Sequence, residues 1–127
     1  MISCPCGGSS YSSCCEPYHL GADYPDTAEK LMCSRYSAFA KGVLNYLIET
    51  HHPAYFNPTD IHSLGKTFKD CSWKSLEIIK TDKGGKSDNT GTVLFQAVYT
   101  ENGKEYTMEE NSFFSRAAGK WVYQAAL

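Results

Sequence analysis

The sequence predicts an α+β protein in which helices come first and an antiparallel sheet follows. Three observations lead to this prediction: a cysteine-rich N-terminal segment, helical periodicity from residue 27 to about residue 68, and alternating polar and apolar residues from residue 73 onwards. Helices followed by hairpin-connected strands are typical of a helical layer on one face of a sheet. With 127 residues, 42% of them hydrophobic, the chain has enough apolar side chains for one core.

The N-terminal segment, residues 3 to 15, holds four of the six cysteines and almost no aliphatic side chain. Such a segment cannot fold by hydrophobic burial, whereas four thiolates are a usual donor set for structural zinc. We therefore expect a small zinc knuckle with the ligands Cys4, Cys6, Cys14 and Cys15. Disulfides between the two cysteine pairs and free thiols are the alternatives, and His19 is near enough in sequence to replace one thiol.

Helical signals follow this segment. Asp26 or Thr27 is a suitable N-cap, and apolar residues recur at three- and four-residue steps until Gly42 ends the first helix. A second helix is expected from residue 43 to about residue 52, before a proline, and a short third one from residue 60 to about residue 71.

The remainder of the chain shows strand and turn signals. The Asn-Gly pair at residues 102 and 103 is typical of a tight hairpin, and glycines punctuate the other two turns. Four antiparallel strands are expected, at residues 73–80, 90–99, 105–116 and 121–123.

Composition argues against several classes of function. Twelve basic and 14 acidic residues give a net charge of -2, and the aromatic residues are not interleaved with basic ones, so nucleic-acid binding is disfavoured. No apolar run approaches the roughly 20 residues of a membrane span, and the N-terminus lacks the features of a signal peptide, which predicts a cytoplasmic protein without membrane association. An enzyme is disfavoured, since the sequence contains no phosphate-binding glycine loop, nucleophile elbow or metal-hydrolase signature.

A second candidate site combines one helix, one helix end and one strand face. Its members are Arg35, Tyr36, His52, Glu110, Ser112 and Phe114. A carboxylate, a histidine and an arginine beside a cavity suit acid–base chemistry or the binding of an anion, whereas a buried ion pair and a core histidine are the structural alternative. Cys33 and Cys71 are expected to be core thiols, and a metal site at His51 and His52 is disfavoured.

Several segments resemble a known family. Cys4-Pro5-Cys6-Gly7, Tyr11 and Cys14-Cys15 look like the SEC-C motif, the zinc-binding tail of the SecA translocation motor. The rest resembles the uncharacterised bacterial YchJ family at Glu16-Pro17-Tyr18-His19, at residues 31–40, at Tyr46-Leu47, at residues 50–53, at Trp73 and Leu76, and at residues 110–114 and 119–123.

The resemblance implies a SEC-C motif at residues 1–20 and a nuclear transport factor two-like (NTF2-like) domain at residues 21–127. In such a domain a curved antiparallel sheet and two or three helices enclose a cavity. The expected cofactor is zinc, and the expected function is that of an adaptor whose knuckle binds a protein partner. The alternative is a cavity that binds a small ligand or catalyses proton transfer or hydrolysis.

Overall fold

The computed structural model describes residues 3–127, which form four α-helices and then a four-stranded antiparallel sheet. The helices are α1 (Glu16–His19), α2 (Ala28–Lys41), α3 (Leu44–Glu49) and α4 (Asp60–Asp70). The strands are β1 (Cys71–Lys83), β2 (Thr90–Glu101), β3 (Lys104–Ala117) and β4 (Lys120–Ala126), hydrogen-bonded in sequence order. The predicted α+β layout is confirmed.

The ends of α2 follow the local signals of the sequence. The side chain of Thr27 accepts a hydrogen bond from the backbone N–H of Lys30 at 3.2 Å, which satisfies one free donor of the first turn. Gly42 ends the helix in the left-handed conformation with φ 74°. Helix α3 is shorter than expected and ends at Glu49, because His51 leaves the helix to form an isolated bridge with Tyr123.

The sheet is a meander of three hairpins. Asn102 and Gly103 both have positive φ, at 53° and 77°, as the tight turn between β2 and β3 requires. Strand β4 runs three residues past the expected end, because its pairing with β3 continues to the partners Ser112 and Ala126.

Irregular pairing bends the sheet around its helices. The register shifts between Trp73 and Ser75, between Ile78 and Lys80, and between Phe113 and Phe114. Each bulge increases the local twist of its strand, so the sheet curves towards the face that α2 covers.

The core lies between α2 and this covered face of the sheet. Leu31 of α2 is fully buried, and alternate residues of the sheet turn inward to meet the helix. The cluster comprises Ala28, Leu31, Met32, Tyr36, Val93, Phe95, Ala97, Phe114 and Trp121. Within residues 3–127, no helix is long and apolar enough to cross a membrane.

Candidate metal centre and ligand cavity

The four N-terminal cysteines form one compact group, which we call the tetracysteine cluster (Cys4, Cys6, Cys14 and Cys15). Their Sγ atoms all lie within 4.8 Å of one another. The Sγ atom of Cys6 lies 3.6 Å from those of Cys4 and Cys14 and 3.8 Å from that of Cys15. Four sulfurs bound tetrahedrally to one zinc ion at about 2.3 Å would be about 3.8 Å apart, so the cluster has the dimensions of a four-thiolate metal site.

The chain around the cluster leaves space for sulfur and supplies a polar neighbour. A Cβ added to Gly8 would lie 2.7 Å from the Sγ of Cys14, so this position requires glycine. The Ser37 hydroxyl of α2 lies 3.3 Å from the Sγ of Cys4 and donates to the Sγ of Cys15 at 3.2 Å. Hydrogen bonds of this kind orient and stabilise thiolate ligands.

Crowding of the thiols makes their ionisation unequal. Hydrogen bonds from Cys15 and Cys33 hold the pKa of Cys6 far below its usual range. Burial raises the pKa of Cys14 to about 12, and the hydrogen bond to Cys6 together with burial raises that of Cys15. Negative charge is therefore favoured at Cys6 over Cys14 and Cys15, and a bound cation would stabilise negative charge on several of these sulfurs together.

His19 is not part of the cluster. Its Nε2 donates to the backbone carbonyl of Ser34 at 2.8 Å, so Nδ1 is left to accept from the hydroxyl of Tyr11 at 2.6 Å. Both ring nitrogens are thus engaged in tying α1 and the preceding turn to α2. Burial lowers the pKa of His19, which is consistent with this neutral form.

The two remaining thiols differ in their surroundings. Cys33 is half-buried beside the cluster, where its hydrogen bond to Cys6 and its burial raise its pKa. Cys71 begins β1 away from the cluster, and burial raises its pKa as well. The sequence pattern predicted both as core thiols, but both are only partly buried and lie outside the core clusters. The pattern also gave no sign that Cys33 lies next to Cys6.

A cavity of about 380 Å³ lies between the helices and the concave face of the sheet. Its volume falls within the range of small-molecule sites. Most of its wall is apolar or aromatic, with side chains from all four strands and from α2, α3 and α4. The aromatic residues are Tyr36, Phe39, Phe56, Trp73, Phe95 and Tyr123.

One side of the cavity carries a hydrogen-bonded carboxylate. The hydroxyl groups of Ser112 and Tyr123 both donate to Oε2 of Glu110, the latter at 3.2 Å. Burial, and then the negative charge of Glu110, raise the pKa of Tyr123 to about 12, so the phenol stays protonated and donates at neutral pH. The carboxylate is thereby fixed in one orientation.

Arg35 supplies the positive charge of the cavity wall. The side chain is buried, its Nη1 donates to the carbonyl of Leu47 and the hydroxyl of Thr50, and its guanidinium lies 5.0 Å from the ring centre of Tyr123. Burial lowers the pKa of Arg35 to about 10, which leaves it charged at neutral pH. Among the described residues no carboxylate lies within ion-pairing distance of it, so the ion pair with Glu110 that the sequence allowed is not formed.

The structure brings together four of the six residues expected at the second site. Arg35, Tyr36, Glu110 and Ser112 line the cavity, whereas Phe114 is fully buried in the core. His52 does not line it: its backbone N–H donates to Tyr123 and its Nδ1 accepts from Ala54, so it fixes a turn.

His51 takes the place expected for His52. Its ring lies 5.3 Å from those of Phe56 and Tyr123, at the cavity wall. Burial first, and Arg35 second, lower the pKa of His51. Tyr123 and Trp73 also line the cavity, and their inward positions in strands were the only sequence signal for this role.

The comparison with known proteins extends this description to a family. The family model of the YchJ middle NTF2-like domain matches residues 27–126. The chain belongs to the YchJ family. The expected NTF2-like fold is confirmed. The expected boundary between a motif at residues 1–20 and this domain stays a prediction, and residues 1 and 2 of that motif lie outside the described part of the chain.

Relatives of this YchJ-family chain match over nearly its whole length. A UPF0225 protein of Corynebacterium efficiens is 41% identical over 124 residues, which are 96% of this chain and 90% of the relative. A UPF0225 protein of Vibrio vulnificus is 37% identical over 122 residues, which are 95% of this chain and 72% of the relative.

Two solved structures have the same fold. A SEC-C motif containing protein from Rhodopseudomonas palustris, solved in solution, matches with a TM-score of 0.86 and 27% identity, over 99% of this chain and 98% of its own. The crystal structure of a SEC-C motif containing protein from Psychrobacter arcticus matches with a TM-score of 0.82 and 26% identity, over 98% of this chain and 81% of its own. Both proteins are described as containing a SEC-C motif, which is the motif that the N-terminal cysteines of this chain resemble.

Proposed function

We propose that this protein binds a small, largely apolar molecule in its cavity, and that a zinc ion in the tetracysteine cluster fastens the N-terminal segment to the domain. The cavity is the observation that supports the binding of a small molecule. An aromatic wall gains free energy by burying apolar surface, and a few polar groups, here Arg35, His51 and Glu110, orient what is bound. The cluster lies outside this cavity, so the two sites have separate roles.

Filling the cavity tests the binding function. Ala97 is a buried residue of β2 at the cavity wall, so Ala97→Leu reduces the space while it keeps the apolar character of the site. The neighbouring Val98 points to the other face of the sheet, and Val98→Leu is the matched control.

The measurement is an NMR titration of the reduced protein with small neutral aromatic compounds such as indole and 1-naphthol. We expect shifts of amide resonances around the cavity in the wild type and in Val98→Leu, and much weaker binding to Ala97→Leu. Absence of any saturable shift in the wild type, or equal binding to both variants, would contradict the proposal.

The choice of zinc follows from the donor set. Four protein thiolates favour a tetrahedral ion and leave no open coordination position, which is the pattern of structural rather than catalytic zinc. Cys4 and Cys15 are buried against α2, so a metal ion there would hold the segment on this helix.

Cobalt substitution tests the geometry of the site. Tetrahedral Co²⁺ with thiolate ligands has intense visible and charge-transfer absorption, because the site lacks a centre of symmetry and the sulfurs donate charge to the metal. We expect this spectrum in the reduced protein and a changed one in Cys14→Ser. A weak spectrum typical of octahedral oxygen ligands would exclude the four-thiolate site.

The outer surface of the knuckle supports a second proposal, that of an adaptor which binds a protein partner. The residues between Cys6 and Cys14 that face solvent include Gly7, Ser9 and Ser12, so a metal ion behind them would hold a small polar surface rigid. Ser12→Arg alters this surface without touching a sulfur. If wild type, Ser12→Arg and Cys14→Ser recover the same partners in affinity purification, the adaptor proposal fails.

A further inference from the structure

Arg35 is a buried cation whose hydrogen-bonding capacity is only partly used. Arg35 is 6% exposed, and among the described residues only one of its three nitrogens, Nη1, has hydrogen-bond partners, which are Leu47 and Thr50. Within residues 3–127, Nε and Nη2 have no hydrogen-bond partner and no carboxylate is within ion-pairing distance. Neither nitrogen is fully enclosed by protein, and the space that Arg35 lines is the cavity.

An unpaired guanidinium in this position favours an anion as its missing partner. Removing a charge from water is costly unless an opposite charge or strong acceptors replace the lost hydration. Here the protein supplies two neutral oxygens and the ring face of Tyr123. The planar fork of arginine is suited to bidentate hydrogen bonds with a carboxylate or a phosphate, which would complete this set.

The rest of the cavity decides between these two anions. Glu110 and Asp60 also line it, so a doubly charged phosphate would meet two negative side chains and only one arginine. A singly charged carboxylate is matched by Arg35 alone. Most of the exposed wall is aromatic or aliphatic, so it suits a ligand with an apolar body.

We infer that the cavity binds a small monocarboxylic acid with an aliphatic or aromatic body, whose carboxylate pairs with the free side of the Arg35 guanidinium. This inference rests on the proposed function, because it names the class of ligand that the same cavity takes. The apolar body lies against the aromatic wall. Glu110, held in place by Ser112 and Tyr123, limits the net negative charge that the ligand can carry.

The test compares acids with their own amides, which have nearly the same shape and no charge. Reduced protein is titrated with hexanoate, octanoate and 3-phenylpropanoate and with the three corresponding amides, and binding is followed by NMR. We expect at least one acid to bind about 10-fold or more tightly than its amide, as a charge-assisted pair would give.

Three variants test whether Arg35 causes the difference in affinity between the acids and their amides. Arg35→Met keeps an unbranched apolar side chain without the guanidinium charge, and we expect it to bind an acid no better than the amide. Glu110→Gln retains an acceptor for the two hydroxyl groups, and it should bind the acids several-fold more tightly without a change for the amides. Arg116, the other arginine of the chain, packs on Trp121 and loop carbonyls, so Arg116→Lys is the control and should bind like the wild type.

The outcomes separate this inference from the proposed function. Amides that bind as tightly as the acids would leave the binding function in place and overturn the carboxylate inference. No saturable binding by any of the six compounds would contradict both. Should Arg35→Met fail to fold, Glu110→Gln still decides, because unchanged acid affinity in that variant overturns the inference.

Discussion

Gly8 leaves no room for a side chain beside the tetracysteine cluster. A Cβ at this position would lie 2.7 Å from the Sγ of Cys14, so Gly8→Ala must displace one of the proposed ligands. We expect its zinc affinity, measured by competition with a chromogenic chelator, to be lower than that of the wild type by about 10-fold or more. Ser9→Ala changes an exposed neighbour and should leave the affinity as it is. Equal affinities for wild type and Gly8→Ala would mean that Cys14 is not a ligand.

We expect His51 to make the stability of the domain depend on pH. Burial and the nearby Arg35 lower its pKa from an ordinary value of 6.5, so the unfolded chain takes up this proton at a higher pH than the folded chain. The contribution to stability is therefore complete above pH 6.5 and is lost as the pH falls below it. In His51→Phe, the free energy of unfolding from urea titrations should fall less between about pH 7.5 and about pH 5 than in the wild type.

The control for this effect is a histidine on the surface. His62 is exposed on α4, and His62→Phe should show the same loss between the two pH values as the wild type. The ring of His51→Phe can keep the contacts with Phe56 and Tyr123, so a difference between the variants reports the proton. If His51→Phe loses as much stability as the wild type, the histidine does not account for the pH dependence.

His51 lines the cavity, although the sequence led us to expect His52 there. The two are adjacent, and the proline after them predicts only that the helix has ended. Which ring enters the cavity is decided by the bridge between His51 and Tyr123, more than 70 positions later in the chain. A contact of this kind leaves no trace in local periodicity. Arg35 and Tyr36, by contrast, lie on a helix whose inner face the sequence defines well.

Two glycines in neighbouring helices should respond in opposite directions to the same substitution. Gly42 at the end of α2 has φ 74°, which costs an alanine about 1 kcal/mol. Gly65 lies inside α4, where no atom of residues 3–127 is within 4 Å of an added Cβ, so alanine there should stabilise by about 0.5 to 1 kcal/mol. Chemical denaturation measures both changes in the free energy of unfolding. Effects of the same sign would contradict these helix assignments.

Elements that depend on local chemistry could be predicted, and those that depend on pairing could be predicted only in part. The cap at Thr27, the stop at Gly42 and the turn at Asn102 are each specified by one or two residues. The last residues of β4 have a weak strand pattern and become a strand because β3 lies beside them. The four cysteines could be identified from their spacing, but the Ser37 hydroxyl that contacts two of them depends on how α2 is placed against the cluster.

At the scale of the whole molecule, α2 connects the two sites. The backbone carbonyl of Ser34 accepts a hydrogen bond from His19 and the Ser37 hydroxyl contacts the cluster, while Arg35 and Tyr36 line the cavity. One helix therefore forms both the support of the tetracysteine cluster and a wall of the cavity. Loss of the proposed metal ion should thus loosen a helix that shapes the cavity.

Native mass spectrometry of the reduced protein, purified without chelators, tests the central claim most directly, because one spectrum reports both the folded state and the bound metal. We predict a compact chain that carries one zinc ion, and loss of the zinc in Cys14→Ser. A compact chain that stays free of metal after zinc is added would contradict the account.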